Sequence, residues 1–294
     1  MRVAIGGSTG LLGSALARHL IGAGHEVVRL VRGEVTASDQ RWWDPDAGRI
    51  AEPGLADVDA IVNLAGAAIA GGRWSAERKS QIQRSRTGST LTIVASLTPD
   101  GRCQRFLNGS AIGYYGNTGI EVVDESSPAG RGFLAEVVSN WEGAARNSPV
   151  PTSFLRTGHV ISSHGGYLGP QQAVFAAGLG GRIGDGRPFL SWIGLADHVR
   201  AMVFLLGSDL TGPVNLCAPN PVTNARFTHA YGAFLGRPTL LPLPLPLVRL
   251  VFGSEFVSDA LLASTRVRPA RLLDAGFEFT QPELLDALEA LRDR

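Results

Sequence analysis

The sequence predicts a doubly wound α/β fold: a parallel sheet covered by helices on both faces, followed by a smaller, mostly helical subdomain. Two observations carry this. Val3-Ala-Ile5 is a short apolar run bounded by glycine; a glycine turn, a stretch of helical period and a second apolar run, Val27 to Val31, follow it. That is a βαβ unit. Strand-like and helix-like stretches then keep alternating as far as Ile161, giving six strands, the pattern of a sheet wound in both directions.

Each element has its own reason. Leu12, Leu16 and Leu20 recur every four residues and mark one helix face, and Gly22 and Gly24 offer its end. Gly7, Gly10 and Gly13 stand between strand and helix. They allow a tight turn and leave backbone N–H groups at the positive end of the helix dipole, where a pyrophosphate can sit. A lone glycine motif says little; one that closes a strand, opens a helix and leads to a second strand says much more. A dinucleotide site for NAD places Asp or Glu at the end of that second strand, whereas Arg suits a 2′-phosphate. Arg29 and Arg32 stand there, and no carboxylate comes before Glu34. The expected ligand is therefore NADP(H), with Arg32, just past the strand, on the extra phosphate.

The polar stretch from Arg32 to Pro53 holds Trp42, Trp43 and Asp44 and is expected to contain a short third strand or an irregular crossover. Asp59 to Leu64 reads as the next buried strand. It closes on Asn63-Leu-Ala-Gly66, small enough for the backbone to approach a dinucleotide. Ser75 is placed to cap a helix running towards Leu97, with Glu77 in its first turn. Arg84 and Arg86 on that helix are two residues apart and cannot share a face, so at most one should reach a ligand. A strand from Phe106 to Ser110, a helix from Phe133 to Arg146 and a strand from Thr152 to Ile161 complete the alternation.

The remainder is less regular. Glycines crowd the span from Gly165 to Gly186 and predict a loop-rich lid on the substrate side. A short strand over Phe189 to Ile193, a helix from Asp197 through Leu206, a strand at 213–217 returning to the sheet and a helix over 225–235 are expected. From Arg237 a Pro-rich connection leads to helices around 255–262 and 282–292. Leu240 to Phe252 is the longest apolar stretch, too short and too interrupted by proline to span a bilayer.

Composition narrows the function. The 294 residues can bury a sizeable core. A net charge of +1 without a strongly basic stretch argues against a nucleic-acid partner. Two distant cysteines, Cys103 and Cys217, give no disulfide framework. The first strand begins at the N-terminus and leaves no signal peptide, so the cytoplasm is the expected compartment, with no membrane partner. The six histidines lack metal spacing, no Gly-x-Ser-x-Gly elbow is present, and no Walker lysine follows the glycines. No metal is expected.

Taken together, the residues resemble the extended short-chain dehydrogenase/reductase superfamily. More closely they resemble its atypical sugar-nucleotide epimerase-like branch, sometimes called cell-division inhibitor homologues. The matches are Gly7, Gly10 and Gly13, Asn63-Leu-Ala-Gly66, Arg73-Trp74, Ser85-Arg86, Ser110 with Tyr114-Tyr-Gly116, Trp141-Glu142, Arg156-Thr-Gly158, Ser191-Trp-Ile193 with Asp197, and Arg266-Val-x-Pro269 through Gly276-Phe277. They run along essentially the whole chain. The resemblance implies a Rossmann domain over 1–162 and a substrate-side subdomain over 163–294, with a branch-type C-terminal region from 237. It also implies the cofactor residues. Gly7, Thr9, Gly10, Leu11, Leu12 and Gly13 would hold the pyrophosphate, and Arg32 the 2′-phosphate. Ala65 and Gly66 would line the adenosine side, Arg86 would reach in from its helix, and Val160 would lie near the nicotinamide. A homodimer follows only from fold analogy.

One departure stands out. The superfamily uses a Tyr-x-x-x-Lys pair, the tyrosine as acid/base and the lysine to lower its pKa. Those positions fall at Leu134 and Val138, or one register earlier at Phe133 and Val137, and the chain's one lysine is Lys79. Ser110, at the end of its strand, and Tyr114 or Tyr115 are the groups left to manage a proton, although an unshifted phenol titrates only near ~10. Two readings follow: an NADP(H)-dependent oxidoreductase or epimerase-like enzyme acting on a small molecule, or a cofactor-binding regulator of division or redox state without turnover.

Overall fold

The computed structural model describes residues 1–70 and 72–292. The first βαβ unit is β1 (Arg2–Gly6), α1 (Leu11–Gly22) and β2 (Glu26–Val31). β3 (Gln40–Asp44) and β4 (Arg49–Ile50) then form a hairpin, so the polar stretch does hold a third strand. β5 (Ala60–Asn63), α2 (Ala76–Ala95), β6 (Arg105–Ala111), a two-residue β7 (Val122–Val123), α3 (Phe133–Ala145) and β8 (Thr152–Thr157) continue the alternation. Ser75 caps α2 as expected, its Oγ accepting from the N–H of Arg78 at 3.2 Å.

The second half begins with β9 (His159–Ser162), β10 (Gly165–Gly166), α4 (Gln172–Ala176), β11 (Phe189–Leu190), β12 (Trp192–Gly194) and α5 (Leu195–Leu206). β13 (Gly212–Leu216), β14 (Val222–Thr223), α6 (Asn224–Leu235), α7 (Leu245–Phe252), α8 (Ser254–Phe256), β15 (Arg266–Val267), α9 (Ala270–Asp274) and α10 (Leu284–Glu289) follow.

The main sheet runs β13-β8-β6-β5-β1-β2-β3-β4 and is parallel except for the last pair. The chain moves outward from β1 to β3, then returns to lay β5 on the other side of β1. That reversal opens a crevice at the carboxyl ends of β1 and β5, the place where such sheets bind ligands. β1 is buried on both faces. Val3 and Ile5 join Leu16, Leu20 and Met202 under α1 and α5, while Ala4 joins Ile61, Ile93 and Phe106 under α2. A continuous apolar run is what such a strand requires.

Three expectations change. The sixth strand breaks at Gly158: β8 stays in the main sheet, whereas β9 pairs with β10 and with β12. A Cβ at Gly158 would lie 2.9 Å from the Ser191 carbonyl oxygen, so only glycine lets the chain leave the sheet there. The single strand over Phe189 to Ile193 splits likewise, β11 pairing with β14 and β12 with β9. The Pro-rich connection contains α7, because Pro244 and Pro246 sit at its start, where a missing N–H costs nothing. Among the described residues no helix is long and apolar enough to cross a membrane.

α1 sits hard against the turn before it. A Cβ on Gly13 would lie 2.3 Å from the Gly7 carbonyl oxygen and 2.9 Å from Ser8 Cα, both backbone atoms. Gly13→Ala must push the helix off the strand and is expected to cost about 1–3 kcal/mol. A lowered denaturant midpoint with an unchanged slope would show it; a midpoint equal to wild type would mean that the turn yields without strain.

Candidate functional site

A cleft of about 1170 Å³ opens at the crevice between β1 and β5. Gly7, Thr9 and Gly10 form its floor; Arg32, Gly33 and Pro45 stand on one side, and Ala65, Gly66, Arg84 and Ser85 on the other. Gly10 is the N-cap of α1 and no side chain caps that helix, so its first N–H groups remain available to an anion. Gly7 adopts φ +74°, and a Cβ there would lie 2.7 Å from the carbonyl carbon of Leu64. The glycine turn is thus wedged against the end of β5, and its open side faces the cleft.

The two arginines of the second strand separate cleanly. Arg29 forms an ion pair with Asp39 at 2.9 Å. Arg32 lines the cleft, is exposed, and makes no ion pair among the described residues. Leu11, Leu12, Gly13 and Val160 do not line this cleft. Leu11 instead meets the hairpin of β9 and β10, where its Cδ2 lies 3.2 Å from the Cβ position of Gly166. Val160 is buried in the same cluster.

The loop after β5 is strapped to α2. Ala67 N–H donates to Ser85 Oγ at 2.9 Å, and Arg78 donates to the Ala68 carbonyl. The two-residue offset on α2 then decides which arginine goes where. Arg84 faces the cleft; Arg86 turns inward behind Gly66. Of the other residues that line the cleft, Ser85 belongs to the Ser85-Arg86 match, whereas Arg78 carries no sequence signal that separates it from the other polar residues of a solvated helix.

Ser110, Tyr114 and Tyr115 are brought together, away from the cleft lining. Ser110 Oγ donates to Glu142 Oε1 at 2.6 Å, and Arg156 grips both carboxylate oxygens of Glu142 at 2.8 and 2.9 Å. Arg156 also donates to the Tyr115 hydroxyl at 3.0 Å, which donates to Asn215 Oδ1 at 2.7 Å. Burial works against the Arg156 charge, but the Glu142 bonds outweigh it and hold the guanidinium above its usual range. Burial pushes the Tyr115 phenol up, with Arg156 offsetting only part of that, which makes it a poor acid. Tyr114 lays its ring 3.5 Å from the Arg156 guanidinium carbon, is half-buried, and its hydroxyl makes no hydrogen bond among the described residues. Leu134 and Val138 approach the Cβ position of Gly113 at 3.5 and 3.9 Å, so that stretch of α3 presents hydrocarbon where the superfamily presents tyrosine and lysine. Among the described residues no group of three or more His, Cys, Asp or Glu could hold a metal ion.

The Epimerase family protein MT2273 of Mycobacterium tuberculosis is 45% identical over 290 residues, spanning 97% of this chain and 96% of that protein. The chain belongs to the epimerase family. The model of the NAD dependent epimerase/dehydratase family matches residues 3–133, and a domain of unknown function, DUF1731, matches residues 243–291, which hold α7 to α10. The crystal structure of human epimerase family protein SDR39U1 (isoform 2) with NADPH is similar over the full length of both chains, with a TM-score of 0.91 at 32% identity. The nucleoside-diphosphate sugar epimerase from Corynebacterium glutamicum matches with a TM-score of 0.79 at 33% identity, covering 98% of this chain and 57% of that one. Membership bears out the resemblance read from the motifs, C-terminal region included.

Removing Glu142 strands a buried cation. Glu142→Ala is expected to cost about 3–5 kcal/mol, and Ser110→Ala, which removes one bond to a charged group, about 1.5–3 kcal/mol. Urea unfolding of both variants checks the order. A Glu142 variant as stable as wild type would show that the pair contributes nothing to the fold.

Proposed function

We propose that the chain binds NADP(H) in the cleft and acts as an oxidoreductase or epimerase-like enzyme on a small molecule. One observation carries this: Arg32, without an ion-pair partner among the described residues, faces a cleft floored by a glycine turn whose amides are open. The fit is chemical. Uncapped N–H groups suit a diphosphate, and a free guanidinium suits a further phosphate. The NADPH held by human SDR39U1, a chain alike over its whole length, supports the same reading. Bound NADPH would supply the hydride. This chain's part is to hold the diphosphate on Gly7, Thr9 and Gly10, to grip the 2′-phosphate with Arg32, and to set Ala65 and Gly66 against the cofactor. Val160 and Leu11 shape the far end. Cys103 and Cys217, buried and unpaired, suit work in the reducing cytoplasm.

For the proton, the reading places Tyr114 first. Its hydroxyl is uncommitted and the Arg156 charge lies against its ring, while Ser110 and Tyr115 hold Arg156 and Glu142 in place. In a screen of carbonyl compounds and sugar nucleotides, Tyr114→Phe should abolish cofactor consumption while Tyr115→Phe and Ser110→Ala lower stability more than rate. Full turnover by Tyr114→Phe would move the proton elsewhere.

Titration calorimetry tests the cofactor. NADPH is expected to bind more tightly than NADH by about 1.5–3 kcal/mol, the worth of charge-assisted bonds, or about ten- to a hundredfold in Kd. Arg32→Gln should erase that difference and leave NADH unchanged. NADPH binding no tighter than NADH would remove the reading.

A further inference from the structure

α7 breaks the pattern that the longer helices follow. α1, α2, α3, α5 and α6 each bury one side and turn polar residues outward. α7 reads Leu-Pro-Leu-Val-Arg-Leu-Val-Phe, apolar nearly all round, yet none of its residues is fully buried. A helix that is hydrophobic on every side belongs in an interior.

Its side chains divide into two stripes. Leu245, Val248 and Phe252 are half-buried and face the chain. Leu245 Cδ1 lies 3.9 Å from the Cβ position of Gly184, and Phe252 stacks on Phe256 with ring centres 5.2 Å apart. Leu247, Leu250 and Val251 stand at i, i+3 and i+4 and form the outer stripe. Those three are 61–72% exposed. Leu240 and Leu241, in the segment that leads into α7, are 88% and 69% exposed and extend the same hydrocarbon. That segment runs beside 178–182, where the Leu243 N–H donates to the Arg182 carbonyl at 2.8 Å. Leu179, also exposed, sits on this neighbouring run. Arg249 occupies the flank between the stripes, where its charge stays in water.

The area identifies the occupant. Five side chains so exposed leave roughly 650 Å² of hydrocarbon, more than a monomer usually carries in one patch. With Leu179 the patch nears the ~800 Å² per partner of a standard interface. We infer that two copies of this chain pair about a two-fold axis, the outer stripe of α7 packing on its counterpart. A stripe without polar atoms is complementary to itself, as such an interface requires. A net charge of +1 per chain lets two copies meet without strong repulsion. An anionic bilayer is the rival surface, but helices that lie on membranes carry a strongly basic face, and α7 has Arg249 alone.

Sedimentation velocity on the full chain tests this. At about 10 µM, within the range of standard-size interfaces, wild type should sediment at twice the 31.0 kDa of one chain. Leu250→Glu should weaken the pairing by at least about a hundredfold, because it puts a carboxylate from each copy into the contact. Leu250 is 72% exposed in one chain, so the variant should keep the wild-type melting temperature. Leu91→Glu, a change of the same kind on the exposed side of α2, should leave the dimer intact. Leu250→Cys should form a disulfide between copies under mild oxidation, whereas wild type, whose Cys103 and Cys217 are buried, should not. Four results overturn the inference: a wild-type monomer up to about 100 µM, a dimer that Leu250→Glu leaves unchanged, a dimer lost to Leu91→Glu instead, or a monomer that floats with phosphatidylserine vesicles through Leu250.

Discussion

Gly13 lies closer to the Gly7 carbonyl than any side chain would allow, and the geometry of the cleft follows from that contact. It seats α1 directly on the end of β1, so the helix starts where the strand stops. On the other side of the turn, Gly7 presses on Leu64 and Ala65 at the end of β5. With both flanks closed by backbone, the free amides can only point along the crevice. Arg32 stands at the outer end of that crevice, and β9 with β10 closes the inner end through the contact of Gly166 with Leu11. One pair of glycines thus sets where a diphosphate can lie and in which direction the rest of a dinucleotide must run.

The face of the sheet beneath α2 and α3 changes character along its strands. Near their starts it is apolar, with Ile61 and Phe106. Near their ends it carries Asn63, Asn108, Ser110, Arg156 and Asn215, neighbours across four strands and buried. These groups satisfy one another and the helices above. Asn63 bonds Ser89, Thr90 and Asn108; Trp141 donates to Thr90; Arg156 takes Glu142. A polar layer of this kind is stable only when nearly complete. It explains why Ser110 and Tyr115 are held rather than free. The C-terminal region fixes the other end of the same helices: Asp259 accepts from the Phe133 N–H at 3.0 Å at the start of α3, and Glu255 pairs with Lys79 on α2. The chain's one lysine thus serves as a clasp between the two parts of the fold.

Much of this was legible in the sequence. The βαβ unit, the alternation of strands and helices along the chain, the Ser75 cap and the return of a strand near 213 follow from period, glycine and capping residues, which are local signals. What stayed hidden depends on long-range contacts. Nothing near Gly158 says that the Ser191 carbonyl will press on it, so one strand read where two form. Proline at the start of a helix looks, in sequence, like proline in a connection, so α7 was missed. Of the residues assigned to the cofactor, Gly7, Thr9, Gly10, Arg32, Ala65 and Gly66 line the cleft. Each belongs to a turn or strand end whose position the pattern determines. Tyr115 and Glu142 give no local sign of being bound to each other through Arg156, because their meeting requires three separate elements.

The rotation of α2 ties these parts together. Successive residues on a helix turn by about 100°, so Arg84 and Arg86 point to different sides, and the helix serves two compartments. Arg84 belongs to the solvated cleft, where a cation costs little. Arg86 enters a crease walled by Gly66 and Trp141, where the Trp141 ring on α3 receives its guanidinium. A tyrosine and lysine on α3 would have placed a dissociable proton and a charge at this edge. With leucine and valine there instead, the edge keeps a charge from α2 and no matched acid. Under the proposed reading, the proton at this edge falls instead to Tyr114, which reaches it from the segment after β6 with the Arg156 charge against its ring.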